Sequence, residues 1–295
     1  MSRNLLSRIA VAAVAIPIIL WICFTGGAWL FGMIALFAAV AAFEFLHGEK
    51  ISPKSILFWL TYIAIAACFF IAYKAVPFDE PTNFIIARFS WIIYLIAGGA
   101  VVVPFLLVTG MILAMGKSSP SELFQRHTRL VWGVVYIGCL YPIVYLIGND
   151  YLVADRIKPA VNGDMLMLLF GILWVGDTAA MGIGKWLGKH KLAPAVSPNK
   201  TVEGLIGGFI GAIVISLIVY YWKFPHLQIY HFLIIPVLCS LFGQLGDLVE
   251  SMWKRSLGLK DSSAIIPGHG GVLDRFDSLL FAAPVLYYYT HLFLK

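Results

Sequence analysis

Residues 204–222, GLIGGFIGAIVISLIVYYW, run for nineteen positions without a charged side chain. A helix needs about 20 predominantly apolar residues to cross the hydrocarbon core of a bilayer. No water is available there to satisfy the backbone, so a chain built from such runs folds as helices that close their own hydrogen bonds. Working outward from this stretch, eight more runs of the same kind lie near residues 8–24, 28–47, 55–76, 89–115, 129–148, 165–182, 231–249 and 277–293. The sequence therefore predicts an all-α, polytopic membrane helix bundle of about nine transmembrane helices.

Composition agrees with this reading. The 295-residue chain is 61% hydrophobic and 12% charged, with a mean hydropathy of +0.89. That is more apolar side chain than a water-soluble core of this length can hide. The polar interruptions reach only about 20–30 residues, so no separate soluble domain is expected. The run at 8–24, preceded by Arg3 and Arg8, has the look of a secretory signal. It lacks a small-residue cleavage site and eight spans follow it, so it is read as a retained first helix. Cys23, Cys68, Cys139 and Cys239 are scattered singly through apolar segments and read as small core residues, not as a metal site or disulfide framework. The net charge is +6, yet no basic run interleaved with aromatics stands outside the spans. Nucleic acid is not expected as a partner; an anionic lipid or a nucleotide is.

Positively charged loops stay cytoplasmic. The N-terminus and the loops after spans two, four, six and eight carry Arg3, Arg8, Lys50, Lys54, Lys117, Arg126, Arg129, Lys185, Lys189, Lys191, Lys200, Lys254, Arg255, Lys260 and Arg275, fifteen of the 21 basic residues. The other side keeps Lys74, Arg88, Arg156, Lys158, Lys223 and Lys295. This asymmetry predicts a cytoplasmic N-terminus and an outer C-terminus. Residues 1–160, spans one to five, are expected to form a lipid-facing scaffold, and residues 161–295, spans six to nine, the catalytic region.

Five of the fifteen acids, Asp247, Glu250, Asp261, Asp274 and Asp277, fall within thirty-one residues, among Lys254, Arg255, Lys260, His269 and Arg275. A solvated loop would account for charge alone, but charges beside a membrane core are costly unless paired, hydrated or bound to ions. On a helix, Asp247, Glu250, Ser251 and Lys254 share one face as it leaves the eighth span. Pro267, Gly268, Gly270 and Gly271 surround His269 with little side-chain bulk, where backbone amides can approach phosphate oxygens. Asp274 and Asp277 add two carboxylates at the start of the ninth span. Hard oxygen donors suit Mg²⁺, which takes one or two protein carboxylates and completes its shell with water and phosphate. His269 reads as readily as a structural hydrogen-bonding residue as a general base.

A second polar island spans residues 177–203, within WVGDTAAMGIGKWLGKHKLAPAVSPNKTVEG. Asp177 is an ionisable group inside an apolar helix, which marks function or a helix-to-helix hydrogen bond. Gly182, Gly184 and Gly188 resemble a nucleotide loop only loosely, since glycines also serve helix packing. In Ser197-Pro198-Asn199-Lys200-Thr201, Thr201 followed by Glu203 reads as a helix cap, which leaves Lys200 unexplained.

The pattern Ser251-x-x-Lys254-Arg255-x4-Lys260-Asp261, then Pro267-x-His269-Gly270-Gly271-x2-Asp274-Arg275-x-Asp277, resembles the phosphatidate cytidylyltransferase, or CDP-diacylglycerol synthase, family. So do GDT at 176–178, KHKLAP at 189–194 and SPNKTVEG at 197–204; the first half resembles it only in hydropathy. Trp253 and Asn199 depart from the family's usual residues, a smaller aliphatic residue or Phe and a second Lys, and Asn199 puts a direct phosphate contact at its position in doubt. The resemblance implies attack of a phosphatidic acid oxygen on the α-phosphorus of CTP, at the cytoplasmic face of a bacterial inner membrane. It implies Mg²⁺ on Asp247 and Asp274, with a second cation left open. Asp277, Asp261 and Asp177 are the next acids. Lys200, Lys254, Arg255, Lys260 and Arg275 are candidates for the phosphates of both substrates, with Ser197, Thr201, Ser251, His269, Gly270 and Gly271 completing the substrate site. The family also implies a homodimer. Two rivals are a CTP-dependent polyprenol-type lipid kinase and an ion-coupled transporter. The latter would want paired halves, and no repeat between the halves is present.

Overall fold

Each apolar run is a helix in a computed structural model that describes residues 3–75, 90–116, 118–149, 157–158, 162–266 and 270–294. Arg88, Lys117, Arg156, Pro267, Gly268, His269 and Lys295 lie outside these residues. In chain order the helices are α1 (Arg3–Thr25), α2 (Gly27–Gly48), α3 (Ile56–Ala75), α4 (Ser90–Ala114), α5 (Pro120–Gly133), α6 (Tyr141–Asn149), α7 (Asn162–Leu187), α8 (Val202–Lys223), α9 (His231–Ser256) and α10 (Leu273–Phe293). Among the described residues seven helical segments are long and apolar enough to cross a membrane, α5 and α6 counting as one continuous segment, Pro120–Asn149. The other two predicted spans are α1, whose apolar part is Ala13–Thr25, and the 21-residue α10, whose first turns carry Asp274, Arg275 and Asp277. The protein is an all-α polytopic membrane bundle.

Two span boundaries move. The fifth begins at Pro120, ahead of the predicted residue 129, because its first turns are amphipathic and carry Glu122, Arg126 and Arg129. Ser119 caps it by accepting from Glu122 N at 3.3 Å. The same segment widens into a π-helical turn at Val134–Cys139 before α6. The Tyr94 hydroxyl donates to Cys139 O at 2.7 Å, partnering a carbonyl in that irregular turn. The second shift is at α10, which starts at Leu273 and so takes Asp274 into the helix.

The sequence quoted first explains how α8 packs. Ile206, Ile210, Val214 and Ile218 recur every four residues and are each more than half exposed, forming a lipid-facing stripe. The opposite face, Gly204, Gly207, Gly208, Ala212 and Ser216, is buried. These small residues let α8 lie close against α7: a side chain at Gly204 would come within 2.8 Å of Ala180 O. The glycines at the end of α7 therefore serve packing. One hydrophobic core, including Phe45, Tyr141, Leu169, Leu280 and Ala283, runs through both halves of the chain.

Alternate loops meet at opposite ends, as the topology requires. At one end Gly27 N donates to Asn149 Oδ1 at 2.6 Å, and Lys223 Nζ lies 3.1 Å from Asp164 Oδ1. At the other, Glu49 after α2 pairs with Arg129 on α5 at 2.8 Å and accepts from Trp253 Nε1 on α9 at 2.9 Å. The one departure from helix lies at this second end. The α7–α8 connection forms an antiparallel hairpin of β1 (Lys191–Ala193) and β2 (Ser197–Thr201), with Lys191 opposite Thr201 and Ala193 opposite Ser197.

Candidate active site

The hairpin closes over a cavity of about 720 Å³, bounded by α7, the start of α8 and α9. Ligand pockets typically hold about 300–1,000 Å³. Asp177, Lys185, Lys191, Lys200, Gln244 and Asp247 bring charge or hydrogen-bonding capacity to its wall. Thr201 ends β2 and caps α8 by accepting from Gly204 N at 3.1 Å, as its position predicted. The companion Glu203 does something else. Its carboxylate accepts from Lys189 N at 3.1 Å and pairs with His190 Nδ1 at 2.6 Å, tying the hairpin's entry to the helix.

At the cavity wall a polar chain crosses from α7 to α9. Gln244 Nε2 donates to Asp177 Oδ1 at 2.8 Å, Lys200 Nζ donates to Gln244 Oε1 at 3.0 Å, and Lys200 Nζ lies 2.6 Å from Asp247 Oδ2. Ser251 Oγ, one turn beyond Asp247, donates to Asp247 Oδ1 at 3.2 Å. The helical face predicted for Asp247, Glu250, Ser251 and Lys254 is present on α9.

Deeper in, Lys254 Nζ is held between two carboxylates. It pairs with Glu250 Oε2 one turn back and with Asp274 Oδ1 at 2.5 Å. All three residues are buried. The other Asp274 oxygen, Oδ2, accepts from Ser262 N at 2.8 Å, Ser262 Oγ at 2.9 Å and Gly271 N at 2.8 Å. The backbone amide of the glycine pair thus meets a protein carboxylate. Gly270 has φ +82°, and a Cβ there would come within 2.8 Å of Asp274 Oδ2. A Cβ at Gly271 would overlap Ser262 Oγ and approach Glu44 to 2.7 Å. Close backbone approach, which only glycine permits, is what this loop requires.

Asp277, one turn along α10, accepts from its neighbour Ser278 N at 2.6 Å and lies within electrostatic reach of Asp247, Lys254 and Asp177. It links the cavity wall to the buried cluster. Five carboxylates, Asp177, Asp247, Glu250, Asp274 and Asp277, are gathered around two ammonium groups, Lys200 and Lys254. Among the described residues no three acidic, histidine or cysteine side chains form a closed metal cage. The donor set fits an ion that takes one or two carboxylates and fills its shell with water and phosphate oxygens, as Mg²⁺ does.

The remaining predicted residues lie at the rim. Lys260, Asp261 and Arg275 are exposed. Arg255 is exposed too, donating through Nε to Val196 O at 3.4 Å and through Nη1 to Leu259 O at 3.0 Å, which fastens α9 to the hairpin turn. Ser197 is half-buried in β2. His269 lies outside the described residues. Trp253, the unusual residue beside Lys254, stacks on Phe45 at 5.1 Å and donates to Glu49.

Three polar residues at this end carry contacts that sequence spacing did not reveal. Gln244 joins Asp177 to Lys200. Glu44 and Glu49, near the end of α2, reach the α9–α10 connection from the other half of the chain. An acid inside the apolar run at 28–47 was the available signal for Glu44.

The model of the cytidylyltransferase family matches residues 6–293. The chain belongs to the cytidylyltransferase family. Phosphatidate cytidylyltransferase of Staphylococcus epidermidis is 33% identical over 279 residues, covering 95% of this chain and 96% of its own. The same-named proteins of Staphylococcus saprophyticus and Staphylococcus aureus are 38% and 36% identical over 197 and 196 residues, each covering 70% of the relative. The family match thus embraces the first half of the chain, where sequence motifs gave hydropathy alone. As a cytidylyltransferase family member the protein is a nucleotidyl-transferring enzyme embedded in a membrane.

Proposed function

We propose that the protein is a phosphatidate cytidylyltransferase: CTP and phosphatidic acid give CDP-diacylglycerol and pyrophosphate, a committing step in phospholipid synthesis. The observation that carries this reading is the Lys200–Asp247 pair, which joins a nucleotide-sized cavity to a buried carboxylate cluster at one end of a membrane bundle. A phosphatidate oxygen forms a bond to the α-phosphorus of CTP, and the bond from that phosphorus to the bridging oxygen breaks to release pyrophosphate. Such chemistry depends on positioning and charge neutralisation more than on covalent help. Lys200, with Lys185 and Lys191 on the same wall, would pair with the triphosphate. Lys254, Arg255, Lys260 and Arg275 would serve the phosphates nearer α10, where ammonium and guanidinium groups pair readily with such anions.

Asp247 and Asp274 would hold Mg²⁺, with Asp277 and Asp177 beside them. Bound there, the ion would neutralise phosphate charge and polarise the phosphorus under attack. The lysine asymmetry supports a site facing the cytoplasm of a bacterial cell membrane, with lipid entering sideways from the bilayer. Residues 1–160 would then supply scaffold and lipid contact, and residues 161–295 the chemistry. A homodimer rests on the family resemblance.

The test uses the purified full-length chain with Mg²⁺, phosphatidic acid and CTP labelled at either the α- or the γ-phosphorus. Label from the α position should appear in lipid as pyrophosphate is released. Lipid labelled only from the γ position would identify a CTP-dependent lipid kinase, and no lipid label would overturn both.

A further inference from the structure

α10 begins without a cap of its own. Its N-cap residue, Val272, makes no side-chain capping bond, although the first amides of any helix lack intrahelical partners. Those amides are satisfied from the far half of the chain. Glu44 on α2 accepts from Val272 N through Oε1 and from Leu273 N through Oε2, both at 2.9 Å. The same carboxylate accepts from Ser263 Oγ at 2.6 Å and Ser262 Oγ at 3.2 Å. Glu44 is 1% exposed. Its partners lie on both sides of residues 264–271, so one carboxylate clasps the two ends of the loop that leads into Asp274.

The clasp is continuous with the site. The Ser262 hydroxyl lies between Glu44 Oε2 and Asp274 Oδ2, and the Gly271 amide is bound to that same Asp274 oxygen. The bare Gly271 is what allows Ser262, Glu44 and the backbone to meet. A negative group at a helix N-terminus is also favoured by the helix dipole.

Resting on the cytidylyl-transfer reading, we infer that Glu44 is a positioning residue for that reaction, capping α10 in trans and fixing the Ser262–Leu273 connection so that Asp274 and Lys254 stay aligned. It acts through backbone amides and two serines, with no role in touching substrate. An isosteric amide cannot replace it, because glutamine keeps one acceptor oxygen and turns an NH₂ group toward donors.

The experiment pairs steady-state kinetics with hydrogen exchange on the detergent-solubilised full chain. Glu44→Gln should lower kcat about 10²-fold, the scale of a small misplacement of reacting groups. KM for CTP should stay within about threefold, since no ground-state contact is removed. Exchange at the Val272 and Leu273 amides should quicken about tenfold or more as their acceptor weakens. Ser263→Ala, which removes one of the four bonds and creates no buried donor, should produce the same pattern at about three- to tenfold. It decides the matter if Glu44→Gln fails to fold. Normal kcat, unchanged exchange, or a rise in KM alone overturns the inference. A wild-type chain without cytidylyl transfer overturns the proposed function and not the clasp, which exchange still tests.

Discussion

Lys200 Nζ lies 2.6 Å from Asp247 Oδ2, joining the end of a surface hairpin to a transmembrane helix. Lys200 also donates to Gln244, which in turn holds Asp177. One ammonium therefore serves as the junction of α7, the hairpin and α9, at the wall of the cavity proposed for CTP.

Removing that junction should cost catalysis far more than folding. Lys200→Met should reduce kcat by about 10²–10³-fold, the usual loss when one group that stabilises developing charge is deleted. Asp247→Asn should abolish turnover while the protein still inserts and elutes as wild type. Near-normal turnover of Asp247→Asn at saturating Mg²⁺ would remove that carboxylate from the site.

Glu49 should act as a stability anchor for α9. It binds Arg129 on one oxygen and Trp253 on the other. Trp253→Phe keeps the stacking on Phe45 and loses one hydrogen bond to a charged group, an expected cost of about 1.5–3 kcal/mol. Trp253→Ala also opens a cavity and should cost about 3–5 kcal/mol. Unfolding in mild detergent with graded denaturant measures both, and equal losses would show that the indole N–H contributes nothing.

Much of this architecture was legible because the bilayer imposes a length on each helix. The nine apolar runs and the grouping of alternate loops came from that length and from the lysine count, and Glu49–Arg129 and Lys223–Asp164 link loops assigned to the same side. The hairpin was not legible: its strands have three and five residues, most of the latter polar, too short for a period-two pattern. The acids of α9 and α10 could be placed on faces by spacing. Spacing could not say that Lys254 sits between Glu250 and Asp274, or that Glu44 reaches four donors over two hundred residues away. Those are contacts between helices distant in sequence, and one chain's periodicity carries no information about them.

Gly271→Ala should damage the loop severely, because its methyl group would collide with Ser262 Oγ and crowd Glu44. Loss of at least 10²-fold in kcat is expected from the displaced Asp274. Gly32→Ala on α2 is the matched control: a Cβ there has nothing within 4 Å, and replacing a helical glycine with alanine gains up to about 1 kcal/mol. Assayed side by side, equal activity of the two variants would refute the close approach.

Sidedness can be read with single cysteines. Cys23, Cys68 and Cys239 are buried and Cys139 is half-buried, so background labelling should be low. Lys191→Cys on the hairpin and Trp222→Cys at the far end of α8 are exposed at opposite ends of the bundle. A membrane-impermeant maleimide should label position 191 only in inside-out vesicles and position 222 only in right-side-out vesicles. The reverse pattern would put the site outside the cell.

Metal dependence gives the last test, because five carboxylates gathered around two ammonium groups leave negative charge that a divalent cation can offset. Chelation should abolish formation of lipid-linked CMP, and Mg²⁺ should restore it. If Asp247 and Asp274 hold the ion, Asp247→Glu should retain measurable turnover and require more Mg²⁺ for half-maximal rate, about tenfold or more for a disturbed ligand shell. Lys200→Met should leave the Mg²⁺ requirement nearly unchanged while lowering kcat. An unaltered Mg²⁺ requirement in Asp247→Glu would move the ion away from Asp247, toward Asp277 and Asp177.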